Sequence, residues 1–491
     1  MSRKLVFTTF FIAVLIGTLG LSFEVQRVKA SGTIYIRTDG SIDPSDAPIS
    51  SLDNVTYTFT GNTSDHVEVY RNNIIIDGAG HKLQGSISSS GIYLYYRSNV
   101  TIMNMEIRAF HDGIHLQQCS DINIVANNIV ANNGSGVEVT WFSIHNNISG
   151  NNVADNGEGG ISVSLNSSEN TISLNNIAGN SMHGVTLGSL ATHNSVSQNN
   201  ITASSSYGIY IYRASYNLVT GNNITGNLQN GIRLYNSSDH NSIVENNIVS
   251  NHYGIYVYCP SDSSTYPSSF TNISQNNISA NDEGGILFSN LQTYASLDND
   301  VIGNLVAGNN GDGIILGGNT LSNNVSQNEV THNVCGIRFW ESSGNLVYKN
   351  NITDNSWEGI HLTGSSKANE VNCNVISGNV VGVWLEDSLN NTIYHNDFAN
   401  NGLQVLADGS ANFWDNGSPS GGNYWSDYNG TDSNHDGIGD SAYVIDVNNR
   451  DNYPLMVQYA IPEFPSFLIL PLFIIATLLA VIAYRRKNPA T

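Results

Sequence analysis

Hydrophobic residues in this chain recur in a short unit that repeats at nearly constant spacing. A glycine, then Ile or Val, then any residue, then a second apolar residue occurs thirteen times between residues 91 and 382. Consecutive glycines are 22 to 24 residues apart, except for two gaps of 31 and 28 residues. No part of this region keeps a 3.6-residue apolar period, so we expect strands rather than helices. The glycines are Gly91, Gly113, Gly136, Gly160, Gly184, Gly208, Gly231, Gly254, Gly285, Gly313, Gly336, Gly359 and Gly382.

Paired asparagines precede most of these glycines by eight or nine residues, as in Asn127-Asn128-Ile129 and Asn199-Asn200-Ile201. A period near 23 residues, made of several short strands and no helix, is typical of a parallel β-solenoid in which each repeat forms one rung. Equivalent strands would stack about 4.8 Å apart, and aligned asparagines would hydrogen-bond to those of neighbouring rungs. The predicted fold is therefore an all-β coil.

Composition narrows the range of partners. The chain has 40 Asp and Glu against 18 Lys and Arg, a formal charge of −22, which would repel phosphate backbones and excludes a nucleic-acid partner. Hydrophobic residues make up 40% and charged residues only 12%, which is too apolar for a disordered chain. The 46 glycines favour turns over helices. We expect them to supply left-handed backbone at tight turns.

Both ends of the chain have the features of export and attachment. Arg3 and Lys4 precede the apolar run Leu5–Leu21, and the small residue Ala30 follows at a possible cleavage point, which is typical of a secretory signal; an uncleaved anchor is the alternative. Eighteen mostly apolar residues, 467–484, precede Arg485-Arg486-Lys487, as in a transmembrane helix with a cytoplasmic tail. The predicted segments are a signal peptide 1–30, N-terminal cap strands 31–70, a parallel β-helix 71–400, a C-terminal cap 401–460, a linker 461–466, a transmembrane helix 467–484 and a cytoplasmic tail 485–491.

Strand alternation predicts which side chains leave the core. If the Ile or Val after each glycine points inward, the next residue points outward, and the pattern continues along the strand. Exposed aromatic clusters usually mark a binding surface, and flat rings with polar tips suit sugars. Alternatively, aromatic residues simply favour strands and pack on cross-rung neighbours. Three successive rungs would present the predicted ligand-binding residues Tyr210, Tyr212, Arg233, Tyr235, Tyr256 and Tyr258.

Candidate catalytic residues occur around the second and third of these glycines. A glycoside hydrolase needs two carboxylates about 5–10 Å apart, and a lyase needs a base and a neutralising cation. His111, Asp112 and His115 fall within one rung, and Glu138 falls in the next. Ordinary solvated turn residues would give the same pattern. We therefore expect a protein that is not an enzyme, with catalysis by these four residues as the alternative.

A calcium loop is predicted near residue 436. Oxygen-bearing side chains occupy loop positions 1, 3, 5 and 9, a glycine occupies position 6, and the residue at position 7 would offer its carbonyl. Position 12 is Tyr443, so the usual bidentate glutamate is missing. The alternative is an Asp/Gly-rich turn that closes the coil. The predicted ligands are Asp432, Asn434, Asp436, Ile438 and Asp440.

The rungs, together with residues 32–44, 73–80 and 421–440, resemble the right-handed parallel β-helix proteins of the pectin-lyase-like superfamily. Within it they are most similar to the NosD-type family in its archaeal surface form. The Pro462-Glu463-Phe464 motif, the apolar run and the basic tail resemble a PEF-type sorting signal, which implies a sorting enzyme as a partner. A retained membrane span explains the same residues.

The resemblance implies three kinds of function: polysaccharide binding, polysaccharide cleavage or epimerisation, and a copper-linked accessory role. Clustered soft ligands select copper(I). The 5 Met, 4 Cys and scattered His residues of this chain form no cluster in the sequence, so a copper site is not predicted. We expect the cysteines to be mostly buried free thiols.

We predict a surface protein that binds polysaccharide or a cell-envelope glycan, or serves as an envelope structural module. The alternatives are a polysaccharide lyase, hydrolase or epimerase, and a copper-linked accessory protein.

Overall fold

The repeats fold into rungs of three short strands, and equivalent strands of successive rungs pair in parallel. In the computed structural model the described residues are 32–260, 266–291 and 294–459. Two units are distinguished, Met1–Gly32 and Thr33–Thr491, and every described residue except Gly32 belongs to the second. The predicted signal peptide, linker, transmembrane helix and tail lie outside the described residues. Within the described ranges, no helix has the length and apolar character needed to cross a membrane.

Three long sheets form the sides of the coil. The first sheet contains Thr33–Ile36, Ile42–Asp43, His66–Val69, Ile92–Tyr95, Ile114–Gln117, Val137–Thr140, Ile161–Val163, Val185–Gly188, Ile209–Tyr212, Ile232–Tyr235, Tyr253–Cys259, Gly284–Asn290, Asp312–Gly318, Ile337–Trp340, Glu358–Thr363, Val381–Leu385 and Leu403–Ala407. The second contains Ile49–Ser50, Thr56–Phe59, Ile74–Asp77, Val100–Met103, Asn123–Val125, Asn147–Ser149, Thr171–Ser173, Ser195–Ser197, Leu218–Thr220, Ser242–Val244, Asn272–Ser274, Asp300–Ile302, Asn324–Ser326, Leu346–Tyr348, Glu370–Asn372 and Thr392–Tyr394. The third contains Lys82–Gln84, Glu106–Arg108, Asn128–Val130, Asn152–Ala154, Asn176–Ala178, Asn200–Thr202, Asn223–Thr225, Asn247–Val249, Asn277–Ser279, Leu305–Ala307, Glu329–Thr331, Asn351–Thr353, Val375–Ser377, Asp397–Ala399 and Tyr424–Trp425. Two small pairs join Ser296–Leu297 to Thr320–Leu321 and Tyr443–Val444 to Arg450–Asp451.

The core is a stack of aliphatic side chains with the predicted register. Ile209 and Ile211 pair with Ile232 and Leu234 of the next rung, and all four are fully buried. Burying one such side chain contributes about 1.5–3 kcal/mol. A one-residue slip would expose two of them in every rung of this sheet, so the register is strongly specified.

Asparagine ladders run through the interior at the corners of the coil. The buried Asn199 accepts bonds from the backbone N–H and the amide of Asn175, both at 3.0 Å. Its own amide donates to Asn222 Oδ1 at 3.0 Å and to Ile172 O at 2.9 Å. The predicted ladder is confirmed, and two further ladders, which the sequence analysis missed, run through Asn146 and its equivalents and through Asn132 and its equivalents.

The repeat glycines are required by close approach of the chain, not by left-handed backbone. A Cβ on Gly208 would lie 2.6 Å from the Gly231 carbonyl oxygen and 2.5 Å from Ile224 Cγ2. The thirteen glycines are not among the positive-φ residues, whereas corner residues such as Ala126 and His145 adopt φ of 56° and 55°. Other glycines, such as Gly150 and Gly226 with φ of 65° and 64°, supply left-handed backbone as expected, but the thirteen repeat glycines do not.

Parallel strands continue beyond both predicted ends of the coil. Thr33–Ile36 pairs in parallel with His66–Val69, which pairs with Ile92–Tyr95. At the other end Leu403–Ala407 pairs in parallel with Val381–Leu385. Rung-like strands therefore occur on both sides of residues 70 and 400.

Aromatic residues close the C-terminal end of the core. The fully buried Trp425 stacks between Phe398 and Tyr443, with ring centroids 4.4 and 4.2 Å away. Its indole N–H donates to Asp451 Oδ2 at 2.9 Å, and the Asn423 N–H donates to the same oxygen at 2.7 Å. Burial raises the pKa of Asp451 to about 6 in spite of these bonds.

Candidate functional site

Three columns of side chains run along the outer face of the first sheet. Two of them were predicted from alternation, and the register confirms their alignment: Tyr210 pairs with Arg233, and Arg233 pairs with Tyr256. The third column, which the sequence analysis missed, is the residue immediately before each repeat glycine. Its fixed position in the repeat is the signal that could have revealed it. Its members include His183, Tyr207, Tyr253, Asp312 and Glu358.

The six predicted ligand-binding residues lie together, and Tyr207 from the third column joins them. We call these seven residues the tyrosine patch. Neighbouring ring centroids are 5.3 to 6.4 Å apart, within the range in which aromatic pairs attract. All seven side chains are half-buried, so the rings pack on one another while part of each still faces solvent. The patch comprises Tyr207, Tyr210, Tyr212, Arg233, Tyr235, Tyr256 and Tyr258.

Arg233 lies inside the patch as its one cation. Its guanidinium carbon is 5.0 to 5.3 Å from four ring centroids, close enough for cation–π attraction. Its Nη1 donates to the Tyr207 hydroxyl. Its Nε is buried, and no described residue offers it a hydrogen-bond acceptor. The guanidinium therefore keeps unused hydrogen-bonding capacity.

Burial favours the neutral forms of Tyr210 and His183, which lie near Arg233. It raises the pKa of Tyr210 to about 12. It also lowers the pKa of His183 to about 4, and the charge of Arg233 acts in the same direction. His183 stacks on Tyr207 at 5.0 Å. At neutral pH the patch thus combines uncharged rings with one positive charge.

The four candidate catalytic residues also lie together. His111 Nδ1 is 3.2 Å from Asp112 Oδ1, and His115 Nδ1 is 3.6 Å from Asp112 Oδ2. His115 pairs with Glu138 across the rungs. Burial raises the pKa of Glu138 to about 7, with the charge of Asp112 adding to the effect. Burial lowers the pKa of His115. A carboxyl group with a pKa near 7 is suited to general acid or base chemistry.

The predicted calcium ligands lie in one loop and bond mainly to that loop. Asp432 accepts the backbone N–H of Asp436 at 3.2 Å, and Asn434 Oδ1 accepts the same N–H at 3.1 Å. Asp440 Oδ2 turns towards Ser433, accepting its N–H at 2.9 Å and its hydroxyl at 2.7 Å. These bonds lower the pKa of Asp440. Calcium binding by Asp432, Asn434, Asp436, Ile438 and Asp440 stays a prediction.

The chain belongs to the right-handed β-helix family. The family model described as "Right handed beta helix region" matches residues 25–177 and 147–304, which together make up more than half of the chain. A second model, described as "Periplasmic copper-binding protein (NosD)", matches residues 268–430. The resemblance to both families is thereby confirmed. No curated protein matches the sequence.

Several solved structures are similar to this chain at low identity and with TM-scores below 0.5. The periplasmic alginate epimerase AlgG is 16% identical, with 54% of this chain and 82% of that chain covered and a TM-score of 0.37. The A-module of the mannuronan C-5 epimerase AlgE6 of Azotobacter vinelandii is 15% identical, with 77% and 87% covered and a TM-score of 0.26. A mutant tailspike protein of E. coli bacteriophage HK620 in complex with a pentasaccharide is 11% identical, with 71% of each chain covered and a TM-score of 0.41.

A copper(I) site would need soft ligands that converge on one point. Within the described ranges no group of three or more His, Cys, Asp and Glu is arranged to hold a metal ion. The cysteines are free thiols in different rungs; Cys119, Cys259 and Cys335 are buried and Cys373 is partly buried. The four cysteines therefore form no shared set of sulfur ligands.

Proposed function

We propose that this chain is a cell-surface protein that binds polysaccharide through the tyrosine patch. One observation carries the proposal: six half-buried tyrosine rings cluster on the outer face of a regular sheet, and four of them surround the Arg233 guanidinium. Tyrosine offers an apolar ring face and a polar tip, which match the apolar face and the hydroxyls of a sugar. Such a cluster on a soluble surface usually marks a binding site.

Charge narrows the class of polysaccharide. The guanidinium of Arg233 is the one cation of the patch, and its charge favours the carboxylate of an acidic sugar. The chain as a whole carries a formal charge of −22, so a polymer with an acid on every residue is repelled. We therefore propose a neutral polysaccharide with few acidic branches, of which glucuronoxylan is a suitable probe.

A glycan array with the full chain tests the proposal. Neutral and sparsely acidic polysaccharides should be retained in preference to polyuronates. The double variant Tyr212→Ala, Tyr235→Ala should keep its fold, since neither ring fills the core. It should weaken binding by about 1–3 kcal/mol, as expected for loss of aromatic anchors.

Tyr216→Ala is the matched control. This tyrosine is 51% exposed and stacks on His193 and His240, outside the patch. It should bind like the wild type. If the double variant also binds like the wild type, the patch only stabilises the coil, as cross-rung packing of aromatics would.

Catalysis is a second candidate function, favoured by the raised pKa of Glu138 next to His115. In this case the chain would act on the polysaccharide that it binds. Incubation with glucuronoxylan should then release new reducing ends, and Glu138→Gln should abolish the release. If glucuronoxylan binds but no new reducing ends are released, the chain binds the polysaccharide without cleaving it.

We also propose that residues 467–484 anchor the protein to the outer face of the cell membrane. The full chain should fractionate with membranes, and deletion of 467–491 should release it. Removal of the tail by a sorting enzyme would give a mature protein with a smaller mass than the retained chain.

A further inference from the structure

A second group of charged and aromatic side chains lies further along the same face, and neither the predictions nor the comparisons assign it a role. We call it the distal cluster. Its six residues all come from the same three columns. The cluster comprises Asp312, Arg338, Trp340, Glu358, His361 and Glu386.

The hydrogen bonds within the distal cluster define the charge state of His361. Arg338 donates through Nε to Asp312 and through Nη1 to His361 Nδ1, which is 2.7 Å away. Because the guanidinium has only donors, Nδ1 must accept, and the imidazole proton is on Nε2. Burial and Arg338 lower the pKa of His361 to about 4, so the ring is neutral. It stacks on Trp384 at 4.3 Å.

Two buried polar atoms of the cluster lack hydrogen bonds. Glu358 is 1% exposed and His361 is 3% exposed, yet Glu358 Oε2 and His361 Nε2 find no hydrogen-bond partner among the described residues. The nearest charged groups are Arg338 Nη2 at 3.9 Å and Glu386 Oε2 at 3.5 Å. Buried polar atoms are nearly always bonded, so we expect a water molecule or another small polar group beside these two atoms.

The solvent-facing part of the cluster offers a ring and hydrogen-bond acceptors. Trp340 is 42% exposed, and the Glu386 side chain is 48% exposed. Arg338 is occupied by Asp312 and His361, so no free cation faces solvent here. The distal cluster therefore suits sugar hydroxyls, which donate to carboxylates, and not acidic sugars.

One column of side chains between the two sites contains only small residues. Tyr258, Ser289, Gly317 and Trp340 follow one another in register, so the large rings at the two ends are separated by a hydroxymethyl group and a glycine. These three rung steps span about 14 Å, and Arg233 is about 24 Å from His361 along the coil. Nothing in this column rises between the two sites.

We propose that the distal cluster is a second contact site for the polysaccharide bound at the tyrosine patch, and that the polymer crosses Ser289 and Gly317 to reach it. This inference rests on the proposed function. It specifies the ligand as an extended chain rather than a single sugar or a chain end. Two linked sites raise the affinity only for a ligand that spans both.

The binding of size-fractionated glucuronoxylan to the full chain tests whether one polymer contacts both sites. Fragments longer than about 24 Å should bind about 100-fold or more tighter than shorter fragments. The double variant Trp340→Ala, Glu386→Gln should lose this gain and leave short-fragment binding unchanged. Glu386→Gln alone, on an exposed side chain, serves if the double variant misfolds. Trp141→Ala, which removes a 48% exposed tryptophan from a distant rung, is the matched control.

The outcomes separate the two proposals. If short fragments bind at the patch but long ones bind no tighter, the inference fails and the proposed function stands. The same holds if the distal variants keep the full long-fragment affinity. If no fragment binds the wild-type chain, both fail.

Discussion

Replacing Glu138 by glutamine should change the pH dependence of stability. Burial raises the pKa of this carboxyl from 4.5 to about 7 in the folded chain. At about 1.4 kcal/mol per pKa unit, the shift corresponds to about 3 kcal/mol. The folded state binds the proton more tightly than the unfolded state. The resulting stabilisation is therefore complete below about pH 4.5 and is lost as the pH rises to about 7.

Glu138→Gln removes this titration but keeps an amide oxygen to accept the Ser162 hydroxyl, which now lies 3.2 Å from Oε1. The variant should match the wild type near pH 4.5 and exceed it by up to about 3 kcal/mol at pH 8. Guanidinium unfolding at a series of pH values measures this difference. Glu341→Gln, the same change on an exposed turn residue, is the control. A constant difference between wild type and Glu138→Gln across this range would refute a buried, protonated Glu138.

Four further predictions concern the coil and its end. Asn199→Ala leaves several buried donors and acceptors unpaired and should cost about 3–5 kcal/mol in chemical unfolding, whereas Asn200→Ala, on the exposed neighbour, should cost less than about 1 kcal/mol. Gly208→Ala places a Cβ 2.6 Å from a backbone oxygen and should lower the thermal midpoint sharply; an unchanged midpoint would contradict the close approach. Asp451→Ala removes the acceptor of three N–H groups and should lower the free energy of unfolding by about 2–4 kcal/mol, monitored by tryptophan fluorescence. Calorimetry of the chelated chain should show one calcium site that Asp436→Ala abolishes, and equal heats would refute the loop assignment.

The fold could be predicted because a solenoid repeats its local rules. Once Ile209 and Ile211 point inward, alternation requires Tyr210 and Tyr212 to point outward, and a constant spacing aligns both columns with those of the next rung. Six of the seven residues of the tyrosine patch were therefore predictable one by one, and Tyr207 was not. The ladder through Asn199 followed from the same alignment.

Contacts across the corners could not be predicted in this way. His183, Tyr207 and Glu358 precede a repeat glycine, a position to which the alternation argument assigned no direction. The structure shows that His183 stacks on Tyr207, that Tyr207 accepts a hydrogen bond from Arg233 and that Glu358 lies near His361. The unpartnered atoms of Glu358 and His361 depend on burial and on distances of a few ångströms between rungs. Such distances determine pKa values and hydrogen bonds, but the spacing of residues along the sequence does not predict them.

The sequence by itself determined the repeat, the all-β coil, the inward and outward columns and the tyrosines that share a face, because these depend only on period and alternation. The tertiary structure alone decided why Gly208 must be glycine, which is close approach to the Gly231 carbonyl rather than a left-handed φ. It alone also decided that Glu138 is buried enough to have a pKa near 7 and that the distal cluster exists. The physical reason is that steric contact and desolvation depend on which neighbours surround an atom, and in a coil those neighbours are a full rung away in sequence.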